Sequence, residues 1–210
     1  AWREVSGWLD ALRVKRTLSR GRIGFLGHTY PGMLDMYSDF TQHSGLLGTH
    51  IEVLEMDDLQ ARVDQVTQPG IDGVRQQALE MFDISDEDSG DPLAKKPSDE
   101  EMDWACRVAA GLDHLVSDFD LDGLAYYYRG WDGNAFEQLG AGLILGCSLL
   151  TARGVPCSGE GDLKNCIAMK ALDILGAGGS YSEFYSMDFE DNLLLMGHDG
   201  PFHIAIADSR

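Results

Sequence analysis

Four short apolar runs, each followed by turn-forming residues and then a helical pattern, constrain this chain more than any other feature. They are residues 22–27, 50–56, 123–128 and 154–157. Their length and bulky apolar content read as buried strands. Helical periodicity separates them. Trp104, Val108, Leu112, Leu115 and Phe119 lie on one face, and Phe136, Leu139, Leu143, Ile144, Cys147 and Leu150 on another. Further helices are expected through Met33, Met36, Tyr37 and Phe40, after Asp57-Asp58, and from Asp162 to about residue 175. Strands that alternate with helices imply a parallel sheet covered by helices on both faces, an α/β architecture.

The pattern changes at both ends. Residues 3–19 read as a helix that acts as a connector rather than a core element. After Gly178 come three consecutive strand patterns, 181–189, 192–198 and 202–207. The expected organisation is a connector helix over 1–20, an α/β unit over 21–178, and the start of a β-rich unit over 179–210. Residues 83–99 have almost no apolar content and read as an exposed loop.

Composition narrows the partners. A net charge of −19, from 35 acidic and 16 basic residues, repels phosphate backbones, so nucleic acid is not an expected partner. No apolar run is long enough to suggest a membrane span. The start resembles no signal peptide and lacks an initiator Met, which suits a chain that begins inside a longer protein. Cys106 and Cys147 fall on apolar helix faces. Cys157 and Cys166 flank Glu160 without partners for a zinc thiolate site, and a reduced, cytoplasmic protein is the simpler expectation.

In parallel α/β sheets, ligands sit outside the carboxyl ends of the strands. That rule puts His28, Arg129 and Glu160 on one rim. Glu160 lies between Gly159 and Gly161, just before a helix. Glu183 follows a Gly-Gly turn, and His198 follows the run Leu193-Leu194-Leu195-Met196. Two carboxylates and an imidazole suit a divalent cation such as Mn²⁺, Co²⁺ or Mg²⁺. The spacing matches no compact motif, and solvated carboxylates with a loop histidine would look the same. Asp162 reads as a helix cap. Gly24 and Gly27 lack the third glycine of a dinucleotide fingerprint.

These residues resemble the ketol-isomerase family of L-arabinose isomerase and L-fucose isomerase. Glu160-Gly161-Asp162, with Lys164 two residues on, is similar to the family's metal-binding turn. Glu183 corresponds to its second acidic ligand, His198 to a histidine ligand after an apolar strand, and Arg22-Ile23-Gly24 to the opening of its middle domain. The likeness covers most of the chain. It implies a flavodoxin-like doubly wound sheet followed by the beginning of a β-rich domain. It also implies a sugar substrate, a homo-oligomer and Mn²⁺ or another divalent cation. The implied reaction is aldose–ketose isomerisation through an ene-diol, with Glu160 and Glu183 as metal ligands and acid/base pair and His198 as a ligand. Arg129, Trp131 and His28 are the expected sugar contacts. Asp188, in Met187-Asp188-Phe189, is an alternative second acid because the fucose isomerase branch uses aspartate in a similar context; distance from Glu160 favours Glu183. The family's last histidine ligand has no counterpart here, so the chain is expected to be a fragment that is inactive alone. Two other readings use the same residues: a non-catalytic sugar-binding or regulatory protein, and a metal-assisted hydrolase.

Overall fold

A computed structural model describes residues 2–84, 95–130 and 133–207. In chain order the elements are α1 (Trp2–Leu18), β1 (Arg22–Gly27), α2 (Phe40–Leu47), β2 (His50–Leu54), α3 (Met56–Val63), α4 (Gln68–Met81), α5 (Asp99–Asp118) and β3 (Gly123–Tyr127). They continue with α6 (Ala135–Ala141), α7 (Leu143–Ala152), β4 (Cys157–Ser158), α8 (Leu163–Ile174), β5 (Glu183–Asp188) and β6 (Leu193–Gly197).

The first four strands form a parallel sheet in the order β2-β1-β3-β4. Ile23 faces Ile51 on one side and Gly123 on the other, and Leu124 faces Cys157. Parallel neighbours cannot be joined by a tight turn, so the connections carry helices across the sheet faces. Side chains alternate between the faces along each strand. Ile23, Phe25 and Ala125 point to one core, shared with Leu18 of α1 and with Leu163, Cys166 and Ile167 of α8. Leu26, Leu54 and Leu124 point to the other, packed by Leu59, Leu112 and Leu150 of α3, α5 and α7. Each buried leucine contributes about 1.5–3 kcal/mol of transfer free energy. α4 lies outside α5, where Ile71 and Val74 meet Cys106 and Ala109.

Local chemistry sets several boundaries. The Ser98 hydroxyl accepts from the Glu101 amide (3.2 Å), and the Glu101 carboxylate accepts from the Ser98 amide (2.8 Å). This capping box, with three acids in the first turn, starts α5. Residues 85–94 of the expected exposed loop lie outside the described residues; α4 and α5 flank it as expected.

Three expectations are corrected. The helix through Met33 to Phe40 is instead a 3₁₀ turn (Leu34–Met36) followed by α2, which Asp39 caps by accepting from the Gln42 amide at 3.0 Å. The Lys164 ammonium draws the intervening chain aside, bonding the carbonyls of Asp35 and Tyr37. The apolar stripe from Phe136 to Leu150 is divided between α6 and α7 at Gly142, where a Cβ would stand 2.9 Å from Val108 Cγ2. By length and composition, 135–152 is apolar enough to cross a membrane, but half of it is buried inside the fold. Finally, 202–207 is not a strand. The Phe202 amide donates to Ser148 Oγ (3.0 Å) and the His203 amide to Ser180 Oγ (3.2 Å), and a 3₁₀ turn follows at Ile204–Ile206. Side chains have taken the donors that a sheet partner would need.

Among the described residues, β5 and β6 pair only with each other, antiparallel, with Glu183 opposite Gly197 and Asp188 opposite Leu193. Both are largely exposed, including Phe184, Met187 and Leu193–Met196.

Candidate functional site

The loops after β1 and β4 are tied through their backbones to each other and to the carboxyl end of β3. The His28 amide donates to the Tyr127 carbonyl (3.0 Å), the Gly161 amide to the Tyr126 carbonyl (3.0 Å), and the Tyr30 amide to the Glu160 carbonyl (2.9 Å). The Ser158 hydroxyl donates to the Asp162 carbonyl (2.7 Å), closing the turn. Asp162 then caps α8, its carboxylate accepting from the Asn165 amide at 3.0 Å, as its place in the sequence predicts. Glu160 has φ +59° and Gly161 φ +70°, so a non-glycine residue is held in the left-handed region at the head of this turn. Such conformations cost free energy and persist where the surroundings over-determine them.

The hairpin supplies the rest. Its register sets Glu183 across from Gly197, next to His198. Glu160, Glu183 and His198 each offer a ligand atom within 4.8 Å of the other two, and all three are half-buried. Two carboxylates and an imidazole from three separate segments thus converge on a volume that one ion could fill. His198 Nδ1 is buried and has no hydrogen-bond partner among the described residues. Carboxylate oxygen and imidazole nitrogen are donors that Mn²⁺, Co²⁺ and Mg²⁺ accept.

Asp188 is not part of this group. It sits at the far end of β5, exposed, and its carboxylate accepts from the amides of Glu190 and Asp191 at 2.9 and 3.1 Å. It caps the hairpin turn. The register separates it from Glu160, and local sequence context could not reveal that.

Of the other expected contacts, His28 and Arg129 stand at the same end of the sheet but off the cavity wall. His28 is exposed; its ring packs edge-on against Tyr127 (centroids 5.2 Å apart), and its Nδ1 lies 3.0 Å from the Thr29 carbonyl. Arg129 is exposed just beyond β3. Neither lines the cavity beside Glu160, and Trp131 lies outside the described residues. Cys157 and Cys166 are buried in the core away from the cluster, and burial pushes both thiols up from their ordinary values.

The cavity measures about 380 Å³, with Tyr126, Tyr128, Glu137, Glu160, His198 and Asp199 on its walls. A larger cleft of about 700 Å³ between α1 and α2 is lined mainly by apolar side chains such as Val14, Leu18 and Leu47, with no ligand cluster among the described residues. Two of the three clustered side chains, Glu160 and His198, line the smaller cavity, so the site is assigned there on chemistry rather than size; Glu183 is not on its wall.

One residue at the centre escaped the sequence reading. Tyr181 is buried, and its hydroxyl donates to Glu160 Oε2 at 2.9 Å. Its ring stands edge-on to the His198 imidazole, centroids 4.6 Å apart at 78°. Burial, and then the Glu160 carboxylate, drive the Tyr181 phenol above its ordinary value, so it is a neutral donor. A signal was present: in extended chain, residues two apart share a face, and Tyr181 stands two before Glu183. Farther out, the Tyr185 hydroxyl donates to the Asp199 carboxylate at 3.0 Å. No family model matches this chain, and no curated protein matches it.

Proposed function

We propose that this chain carries the cation-binding and acid/base groups of a metal-dependent aldose–ketose isomerase similar to L-fucose isomerase and L-arabinose isomerase, on a flavodoxin-like sheet. The observation that carries the reading is the convergence of Glu160, Glu183 and His198 to within 4.8 Å. The strand order β2-β1-β3-β4, all parallel, supports the flavodoxin-like arrangement. Glu160, Glu183 and His198 would hold the cation, Mn²⁺ first and Co²⁺ or Mg²⁺ as alternatives. Once bound, such a cation offsets negative charge that develops on substrate oxygens.

The chain's own groups meet the remaining needs of the reaction. Isomerisation moves a hydrogen between C1 and C2 of an open-chain sugar by way of an ene-diol. One carboxylate of the Glu160–Glu183 pair would remove the C2 proton while the other, as the acid, protonates O1 to give the ene-diol; the first then returns its proton at C1 as the second takes the O2 hydroxyl proton, leaving the ketose. Tyr126, Tyr128, Glu137 and Asp199 offer aromatic faces and hydroxyl partners to a polyol. The cavity volume lies within the roughly 300–1,000 Å³ of small-molecule sites. A homo-oligomer in the cytoplasm belongs to the same reading, and four buried free cysteines suit a reducing compartment.

The test combines Mn²⁺ calorimetry on this chain with ketose formation from L-fucose, L-arabinose and D-arabinose by the full-length protein. Glu160→Gln and Glu183→Gln are expected to abolish ketose formation and to weaken Mn²⁺ binding about tenfold or more. Asp188→Asn should leave Mn²⁺ affinity within about twofold. Turnover that survives Glu160→Gln overturns the acid/base role. Metal binding with no ketose formation from any of these sugars overturns the isomerase reading and leaves a binding protein.

A further inference from the structure

We infer that Tyr181 is a positioning residue that aligns two of the three candidate ligands at once: its hydroxyl orients the Glu160 carboxylate and its ring orients the His198 imidazole. This rests on the reading of Glu160, Glu183 and His198 as a cation site.

Backbone contacts already hold the main chain of Glu160. Its backbone is fixed without Tyr181, by the Tyr30 amide on its carbonyl (2.9 Å) and by the neighbouring Gly161 amide on Tyr126 (3.0 Å). Those bonds leave the side chain free to rotate. Among the described residues, the hydrogen-bond partner of the Glu160 carboxylate is the Tyr181 hydroxyl, at 2.9 Å on Oε2. With Oε2 engaged there, rotation of the carboxylate would break a charge-assisted, part-buried hydrogen bond.

The same ring confines His198. It stands edge-on to the imidazole, 4.6 Å between centroids. Gly159 closes against both side chains: a Cβ there would lie 3.3 Å from His198 Cε1 and 3.4 Å from Tyr181 Cε1. Tyr181 is only 3% exposed, and it meets two half-buried side chains, Glu160 and His198. Outer partners of this kind fix ligand geometry, and their loss typically lowers metal affinity.

Tyr181→Phe removes the hydroxyl and keeps the ring. Mn²⁺ affinity is measured by calorimetry, the visible d–d bands of bound Co²⁺ report ligand geometry, and thermal melting reports the fold. The expected result is a cooperative melt, Mn²⁺ affinity reduced by about tenfold or more, and altered Co²⁺ bands. Wild-type-like Co²⁺ bands in Tyr181→Phe overturn the proposal, whatever the affinity, and leave the cation site standing. If the parent chain binds neither Mn²⁺ nor Co²⁺, the cation site and this proposal fall together. A Tyr181→Phe chain that does not fold also overturns the proposal, because the hydroxyl then serves the fold rather than the ligands.

Discussion

Gly161 lies so close to His28 that a Cβ on it would stand 2.7 Å from the His28 carbonyl oxygen. The contact joins the turn after β4 to the loop after β1, and it is made by backbone that cannot move aside. Gly161 also has φ +70°, which an L side chain adopts only with strain. Gly161→Ala is therefore expected to destabilise the chain by about 1–3 kcal/mol. Urea denaturation measures this. A variant as stable as the parent would contradict the close approach.

Leu112 and Trp8 make a contrasting pair. Leu112 is fully buried between α5, α7 and the sheet, whereas Trp8 on α1 is 69% exposed. Leu112→Ala leaves a cavity in close-packed surroundings and should cost about 2–5 kcal/mol. Trp8→Ala should change stability by no more than about 0.5 kcal/mol. Both are read from denaturation midpoints. Equal costs would mean that α1 packs against something in solution.

Alkaline pH should weaken the fold. Burial raises the Cys157 and Cys166 thiols and the Tyr126 phenol above their ordinary values. The native chain keeps these protons at pH values where the unfolded chain has released them. The unfolded state then binds fewer protons, so stability falls as pH rises. The contribution is whole below the ordinary thiol value of about 8.5 and is lost progressively above it. Thermal melts from about pH 8 to pH 10 should show a falling Tm, and Cys166→Ala should flatten the slope. A Tm that holds constant to about pH 10 would contradict the burial of these groups.

Much of the architecture was legible because it follows from local rules. Burial on both faces gives Ile23 to Leu26 its continuous apolar run, and β1 lies there. The periodic faces of α5, the Ser98–Glu101 capping box and the Asp162 cap depend on residues within a turn or two of each other. The rim rule brought Glu160, Arg129 and His28 to one end of the sheet, yet it could not tell which side chains line the cavity. Residues 202–207 show where local rules fail. Phe202, Ile204 and Ile206 alternate as a strand would, but a strand exists only with a partner, and Ser148 and Ser180 hold the Phe202 and His203 amides instead.

By itself, the sequence determined the alternating elements and the two-faced parallel architecture, and it singled out Glu160, His198 and two alternative acids, Glu183 and Asp188. Tertiary structure decided which acid joins Glu160. The hairpin register places Glu183 opposite Gly197 and carries Asp188 to the turn at the other end. It also decided the place of Tyr181, an ordinary aromatic in the sequence, whose hydroxyl meets Glu160 from a separate segment. Strand register and side-chain convergence are set by contacts between distant segments, and neither hydrophobic period nor local motif encodes them.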